Sequence, residues 1–234
     1  MLVQLQSPLH EALQTEHPRA TWAEVRGMPV PLHLDDSAKE VEQAKTLALA
    51  DASFLPRIVL KGSGAESYLQ SLGIPIPESI LKVAPLENGG LIARSGGSEF
   101  FLEGGPVGWD SSPARLEDGT GVPSYGSGVY PVLRQDAALI ISGSRAGKLF
   151  RHVSSYDFIN EPHGDLVFTP IASVSCSVLR QTINGFPAFR LWTDGTYGLY
   201  IWHTLLEVAK ELGGGAVGTA VFFPSLSERE ANRP

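Results

Sequence analysis

One stretch of this sequence occurs twice, and the recurrence limits what the chain can fold into. Residues 58–69 read IVLKGSGAESYL and residues 139–150 read LIISGSRAGKLF. Laid one on the other, Gly62 falls on Gly143, Ser63 on Ser144, Ala65 on Ala146 and Leu69 on Phe150, an offset of 81 residues. Each copy opens on a short run of Leu and β-branched residues, suited to a buried strand. Gly-Ser follows, where a sharp exit needs a residue without Cβ and a hydroxyl can cap the next helix. Ala and Tyr, Leu or Phe then recur at helical spacing. One strand-turn-helix unit cannot bury its own apolar faces; two can bury them against each other.

The flanking segments carry their own signals. Ser7 is placed to cap a short helix with Pro8 at its first position, and residues 21–34 alternate with prolines as an edge strand and turn would. Residues 37–49 predict a helix with Ser37 as cap, Glu40 as its capping-box partner and Val41, Ala44, Leu47 and Ala48 on one face. Strands are expected over 80–86, 91–95 and 99–104, separated by the Asn88-Gly89-Gly90 and Gly96-Gly97 turns. Residues 104–128 are rich in Gly, Ser and Pro and divide the chain into lobes 1–103 and 129–234. Asn184-Gly185 joins hairpin arms over 175–183 and 186–192. Leu199, Trp202, Leu205, Leu206, Ala209 and Leu212 keep helical spacing as far as Gly213. Residues 216–224 predict a last strand, with a frayed polar end after it.

Several functions are disfavoured. A net charge of −7 without any Lys/Arg cluster argues against a nucleic-acid partner. The single cysteine, Cys176, builds neither a disulfide framework nor a thiolate metal site and reads as a small core residue. The six histidines show no metal-ligand spacing, so no metal is expected. The GSRAGKL run is too short for a phosphate loop, and Leu149 stands where Ser or Thr would hold magnesium. No membrane span or signal pattern appears, which predicts a cytoplasmic protein.

The order of segments resembles a known family. Ser7-Pro8-Leu9, then GMPVPL, then Asp51, Ser53, Gly62, Ala65 and Leu69 follow the pattern at the start of the glycine-cleavage T-protein (aminomethyltransferase) folate-binding family. ALIISGSRAGKLF resembles its later L-x-G-P-x-A stretch, and TDGTYGLYIWHTLLEVA its T-G-E-x-G-x-E turn and helix. The resemblance implies an α+β fold of duplicated ferredoxin-like, pseudo-twofold lobes, here without the family's C-terminal β-barrel. It also places a folate pocket, of which Arg94, Asp194, Thr196 and Tyr197 would be the remnant.

The departures from that pattern decide the expected role. Catalytic members carry an acid just after the Gly-Gly turn, whereas Leu91-Ile92-Ala93-Arg94 follows Gly89-Gly90 here. Thr196 stands where the family's pteridine-gripping glutamate would be. A hydroxyl cannot make the paired, charge-assisted contact of a carboxylate. Such a shortened member most resembles the γ subunits of heterotetrameric sarcosine oxidases, whose Y-x-W-x-x-L helix Tyr200, Trp202 and Leu205 fit. The resemblance thus implies a non-catalytic subunit of an oxidoreductase complex, with no catalytic residue and flavoprotein amine oxidase subunits as partners. No cofactor is expected, with tetrahydrofolate the alternative. Trp192, Tyr197 and Tyr200 are the expected partner-facing aromatics, while Trp202 shares the apolar helix face. Two other readings stay open: a free-standing folate-dependent methyl or aminomethyl transferase with Asp194 or Glu99 as a relocated acid, and a small-molecule binder unrelated to folate.

Overall fold

Both copies of the repeat fold as strand, turn and helix in the computed structural model, which describes residues 5–86, 89–106 and 126–231. The first copy is β4 (Arg57–Lys61) and α3 (Ala65–Ser71); the second is β9 (Ala137–Ser142) and α4 (Ala146–Val153). The turns share their glycine conformation and two backbone hydrogen bonds. Gly62 and Gly143 have φ of 111° and 100°, where a side chain is strained. The Ala65 and Ala146 amides donate to the Gly62 and Gly143 carbonyls at 3.0 and 3.1 Å. The next equivalent pair, the Gly64 and Arg145 amides, reach back to the Gly128 and Thr46 carbonyls at 3.1 and 2.9 Å. A Cβ on Gly62 would overlap the Gly128 carbonyl, and one on Gly143 the Thr46 carbonyl. The two glycines thus answer the same two demands, left-handed backbone and close passage of another chain segment.

The chain forms two compact units, Met1–Phe54 with Asp136–His163 and Val167–Pro234, and Leu55–Gln135 with Gly164–Leu166. These units are discontinuous, unlike the consecutive lobes 1–103 and 129–234. The reason is strand pairing: β3 (Ala48–Asp51) precedes the first copy but lies antiparallel to β9 of the second.

In the smaller unit β5 (Val83–Pro85), β6 (Leu91–Gly96) and β7 (Glu99–Glu103) follow α3, and β8 (Tyr130–Leu133) closes a five-stranded sheet of order β5-β6-β7-β4-β8. In the larger unit β10 (Leu166–Ile171), β11 (Val174–Ile183) and β12 (Phe186–Thr193) follow α4, in a six-stranded sheet of order β10-β11-β12-β9-β3-β13, with β13 only Gly215–Ala216. The four-strand runs β6-β7-β4-β8 and β11-β12-β9-β3 are antiparallel throughout and correspond in order. That is the strand order of a ferredoxin-like sheet.

The larger core lies between its sheet and the helices α1 (His10–Glu16), α4 and α5 (Gly198–Glu211), and includes Leu13, Leu139, Ile141, Phe150, Phe158, Phe189, Leu191 and Trp202. Full burial of each large apolar side chain contributes about 1.5–3 kcal/mol. Cys176 lies in this core, where burial pushes its thiol up to about 11. The smaller core gathers Ile58, Leu60, Leu69, Ile92, Phe100 and Leu102. Among the described residues no helix is long and apolar enough to cross a membrane, and no sheet closes into a barrel.

Several sequence expectations are corrected. Helix α2 (Ser37–Thr46) is capped by Asp36, whose side chain accepts from the Ala38 and Lys39 amides, not by Ser37. It stops before Leu47 and Ala48, because Ala48 is needed in β3; Val41 is exposed. Helix α1 begins at His10 with Leu9 as its N-cap rather than at Pro8, so Ser7 lies two residues before the cap, its hydroxyl donating to Asp51 and accepting from the Leu9 amide. Residues 216–224 form a 3-10 turn (Thr219–Val221) rather than a strand, and α6 (Ser225–Ala231) follows where fraying was expected. The proline-bearing segment 21–34 is a separate hairpin of β1 (Thr21–Val25) and β2 (Met28–His33). Of the loop 104–128, residues 107–125 lie outside the described residues, as does Asn88 of the Gly-Gly turn.

Candidate functional site

The turn between β12 and α5 holds three of the four candidate pocket residues. Asp194 leaves the strand with extended backbone, and its carboxylate accepts from the Thr196 amide at 2.9 Å and the Thr196 hydroxyl at 2.6 Å. The Asp194 carbonyl takes the Tyr197 amide at 2.9 Å, which closes a 3-10 turn over Gly195–Tyr197. Helix α5 starts at Gly198, where nothing larger fits: a Cβ there would stand 2.7 Å from the Ala137 Cβ and 3.0 Å from the Pro8 Cβ. The N-terminal segment and the first residue of β9 therefore seat the turn.

Beneath it lies a buried polar network. Ser7 donates its hydroxyl to Asp51 and accepts from the Leu9 amide at 3.1 Å. Asp51 also accepts from the Ser53 amide at 2.8 Å, and the Ser53 hydroxyl accepts from the Ala138 amide at 3.0 Å. Asp51 and Ser53, the residues that carried much of the resemblance, thus tie the end of β3 to β9 and to the N-terminal segment. All three side chains are buried, and each has a hydrogen-bond partner, as buried polar groups require.

The aromatic candidates separate. Tyr197 and Tyr200 are each 52% exposed, and Leu199 beside them is exposed as well. The Tyr200 hydroxyl donates to the Ala172 carbonyl at 3.2 Å in the β10–β11 turn, which fixes its ring at the surface. Trp192 was expected on the same surface but is only 3% exposed. Strand alternation puts it on one face of β12 with Phe186 and Arg190, the face on which Phe222 and Phe223 pack. Leu199, expected on the apolar helix face, points out because that face is Ile201, Trp202, Leu205, Leu206 and Ala209. Its exposure depends on where the helix starts, which periodicity alone does not give.

Arg94 belongs to the other compact unit. Its guanidinium pairs with Glu66 at 2.9 Å, donates to the Gly97 carbonyl at 3.0 Å and lies 5.3 Å from the Phe100 ring centre. The two relocated-acid candidates are also engaged. Asp194 holds its turn together. Glu99 pairs with Lys61 at 2.7 Å and accepts from Ser95 at 2.9 Å, contacts that hold its carboxyl below the usual range, Lys61 foremost. A carboxylate so held keeps its negative charge but is a poor proton donor.

The GSRAGK turn is no phosphate cradle. The Ser144 and Arg145 amides already donate to the Lys45 and Thr46 carbonyls at 3.0 and 2.9 Å. Among the described residues no three His, Cys, Asp or Glu side chains converge as a metal site would require. An open depression of about 610 Å³ beside Lys39, Gln43, Thr46 and Gly213 involves none of the candidate residues.

No family model matches the sequence, and no curated protein is similar to it. Solved structures are similar in fold. The glycine cleavage system aminomethyltransferase T from Bartonella henselae superposes with a TM-score of 0.73 at 16% identity, over 93% of this chain and 60% of that one. A chain of the heterotetrameric sarcosine oxidase from Corynebacterium sp. U-96, solved with pyrrole 2-carboxylate, superposes with a TM-score of 0.59 at 16% identity, over 89% of this chain and 96% of that one. The chain therefore has the α+β fold of these proteins, as the resemblance implied, and spans 60% of the length of the aminomethyltransferase.

Proposed function

We propose that this chain is a non-catalytic, folate-domain-like subunit, cytoplasmic, that assembles with flavin-dependent amine oxidase subunits. The observation that carries the reading is the β12–α5 turn. Thr196 stands where the folate-fold pattern has its glutamate, and its hydroxyl and amide are both bound to Asp194. A turn closed on itself in this way offers no free carboxylate to an aminopyrimidine edge. Nor does the structure hold an acid at Leu91–Arg94, where developing charge would need one; such a group typically supplies about 10²–10³ in rate. The chain's match to 96% of the length of one chain of a heterotetrameric oxidase supports a subunit role. Tyr197, Leu199 and Tyr200 are the surface assigned to the partner, since exposed Tyr offers large contact area with a polar edge. We read the two strand-turn-helix units as products of one duplication, related by a pseudo-twofold axis, on the strength of their matching turns and strand orders.

One observation favours a second reading, a free-standing tetrahydrofolate-dependent aminomethyl or methyl transferase: the superposition on aminomethyltransferase T is the better of the two, at 0.73. Titration calorimetry with a reduced folate separates them. The subunit reading expects no heat at micromolar protein, and flavin absorbance co-eluting with the tagged chain from its native host. Micromolar folate binding that Thr196→Ala or Tyr197→Ala weakens would transfer the proposal to the transferase.

A further inference from the structure

The Glu40 carboxylate is 2% exposed and gathers donors from two distant places in the chain, residues 33–35 and Gly218. One oxygen accepts the Leu34 amide at 2.7 Å, the Asp35 amide at 3.3 Å and the Gly218 amide at 2.8 Å. The other stands 3.0 Å from His33 Nδ1, whose Nε2 faces the Ser227 hydroxyl at 3.4 Å. A buried carboxylate so served is held by charge-assisted bonds, and removing it leaves buried donors unmatched.

Two segments with little backbone pairing to the larger sheet meet at this carboxylate. The β1–β2 hairpin is a two-stranded sheet of its own, which is marginal in isolation. Residues 217–226 have almost no ladder: beyond β13 they are tied by the Val217 amide to the Leu49 carbonyl at 2.8 Å, and otherwise by side chains. Thr219 donates to the Pro31 carbonyl at 2.7 Å, and Asn184 to the Val221 carbonyl at 2.9 Å. Phe222 packs edge-on against Phe186 at 5.9 Å and Phe223 against Phe54 at 5.8 Å, with the Arg190 guanidinium 5.9 Å from the Phe223 ring. Gly218 runs so close to β2 that a Cβ would overlap the Leu32 carbonyl.

We propose that residues 217–226 are a strap latched by Glu40, and that strap and hairpin open together as one local unit while the six-stranded sheet stays folded. Each lacks the backbone pairing to persist alone, and one carboxylate bonds both. Opening uncovers Phe54, Phe186 and Arg190, an aromatic and cationic face that the strap otherwise seals.

Native-state hydrogen exchange on the full chain at low denaturant tests this. The Gly218, Phe222 and Phe223 amides and those of β1–β2 should exchange through one shared opening, well before Ile141 and Phe189. Glu40→Ala should speed that exchange about 10- to 100-fold and leave β9 and β12 within a few-fold, with Glu40→Gln intermediate. Gly218→Ala, whose Cβ would overlap the Leu32 carbonyl and push the strap off β2, should do the same with the Glu40 side chain itself retained. Strap amides that exchange only with β9 and β12, or a Glu40→Ala effect equal at all sites, would overturn the proposal. If Glu40→Ala fails to fold, the exchange order in the unaltered chain decides.

Discussion

The two copies of the repeat share a turn but not an environment. In the larger unit β9 is buried along its whole length, between β12 and β3, and β13 lies beyond β3. In the smaller unit β4 lies between β7 and β8, and β8 is exposed throughout, with no strand paired outside it among the described residues. Phe150 contacts Phe158 and Phe189, whereas its equivalent Leu69 sits in a smaller cluster with Ile58, Leu60, Ile92 and Phe100. Equivalent sequence thus carries unequal energetic weight. The local segment sets the turn, and its neighbours set how much the turn matters.

The sharpest way to break this comparison is truncation at the matched apolar pair. Phe150→Ala should cost about 3–5 kcal/mol and Leu69→Ala about 2–3 kcal/mol, because the aromatic leaves the larger void. Urea unfolding monitored by circular dichroism measures both. Equal losses would mean that the two cores are energetically interchangeable.

The turn glycines come next. Gly143→Ala and Gly62→Ala each combine a positive φ with backbone overlap, so each should cost about 1–3 kcal/mol. The two effects should be alike, since both glycines combine left-handed backbone with close passage of another segment. A tolerated Gly62→Ala beside a damaging Gly143→Ala would end the equivalence of the turns.

Partner binding should belong to the larger unit alone. Tyr200→Ala should weaken association by more than about 1 kcal/mol while leaving the isolated chain within about 0.5 kcal/mol of its stability. Trp192, being buried, should lower stability when truncated rather than act on association selectively. Calorimetry against the co-purified partner, with thermal melts of the free chain, gives both readouts. A partner indifferent to Tyr197→Ala and Tyr200→Ala would move the contact off this turn.

The smallest effect is a pH dependence in the smaller unit. Lys61 and Ser95 hold the Glu99 carboxyl below its usual value of 4.5. A carboxyl lowered in the folded state stabilises fully above its unfolded value, and that contribution is lost as pH falls through the folded value. The pair is half solvated, so the amount is under about 1 kcal/mol. Glu99→Gln should lower the urea midpoint slightly near pH 7 and not at all near pH 2. A midpoint difference that persists at the lower pH would assign the effect to packing instead.

The Asn184-Gly185 hairpin and the α5 face of Trp202, Leu205, Leu206 and Ala209 were both legible in the sequence, because their rules span only a few residues. So were the repeat turns, where glycine meets a backbone demand that recurs at both sites. The candidate site was legible only in part. Aromatic density marked residues 192–202, yet exposure inside that run follows strand alternation and the helix start, which separate Trp192 from Tyr197 and Tyr200.

What the sequence determined by itself is local: the strand-turn-helix copies, the hairpin and the apolar helix stripe, each fixed by sterics and periodicity within about a dozen residues. The tertiary structure decided whatever depends on a distant partner. Ala48 left the helical pattern of α2 because β9, nearly a hundred residues away, offered its backbone edge. Glu40 turned from its expected capping box to the Gly218 amide, since burial makes a carboxylate take every donor within reach. Residues 216–224 read as a strand by composition, but only Gly215–Ala216 found a free edge at β3, so the apolar remainder packs as a strap. Hydrogen-bond partners and buried faces are properties of the whole chain, and no window of sequence contains them.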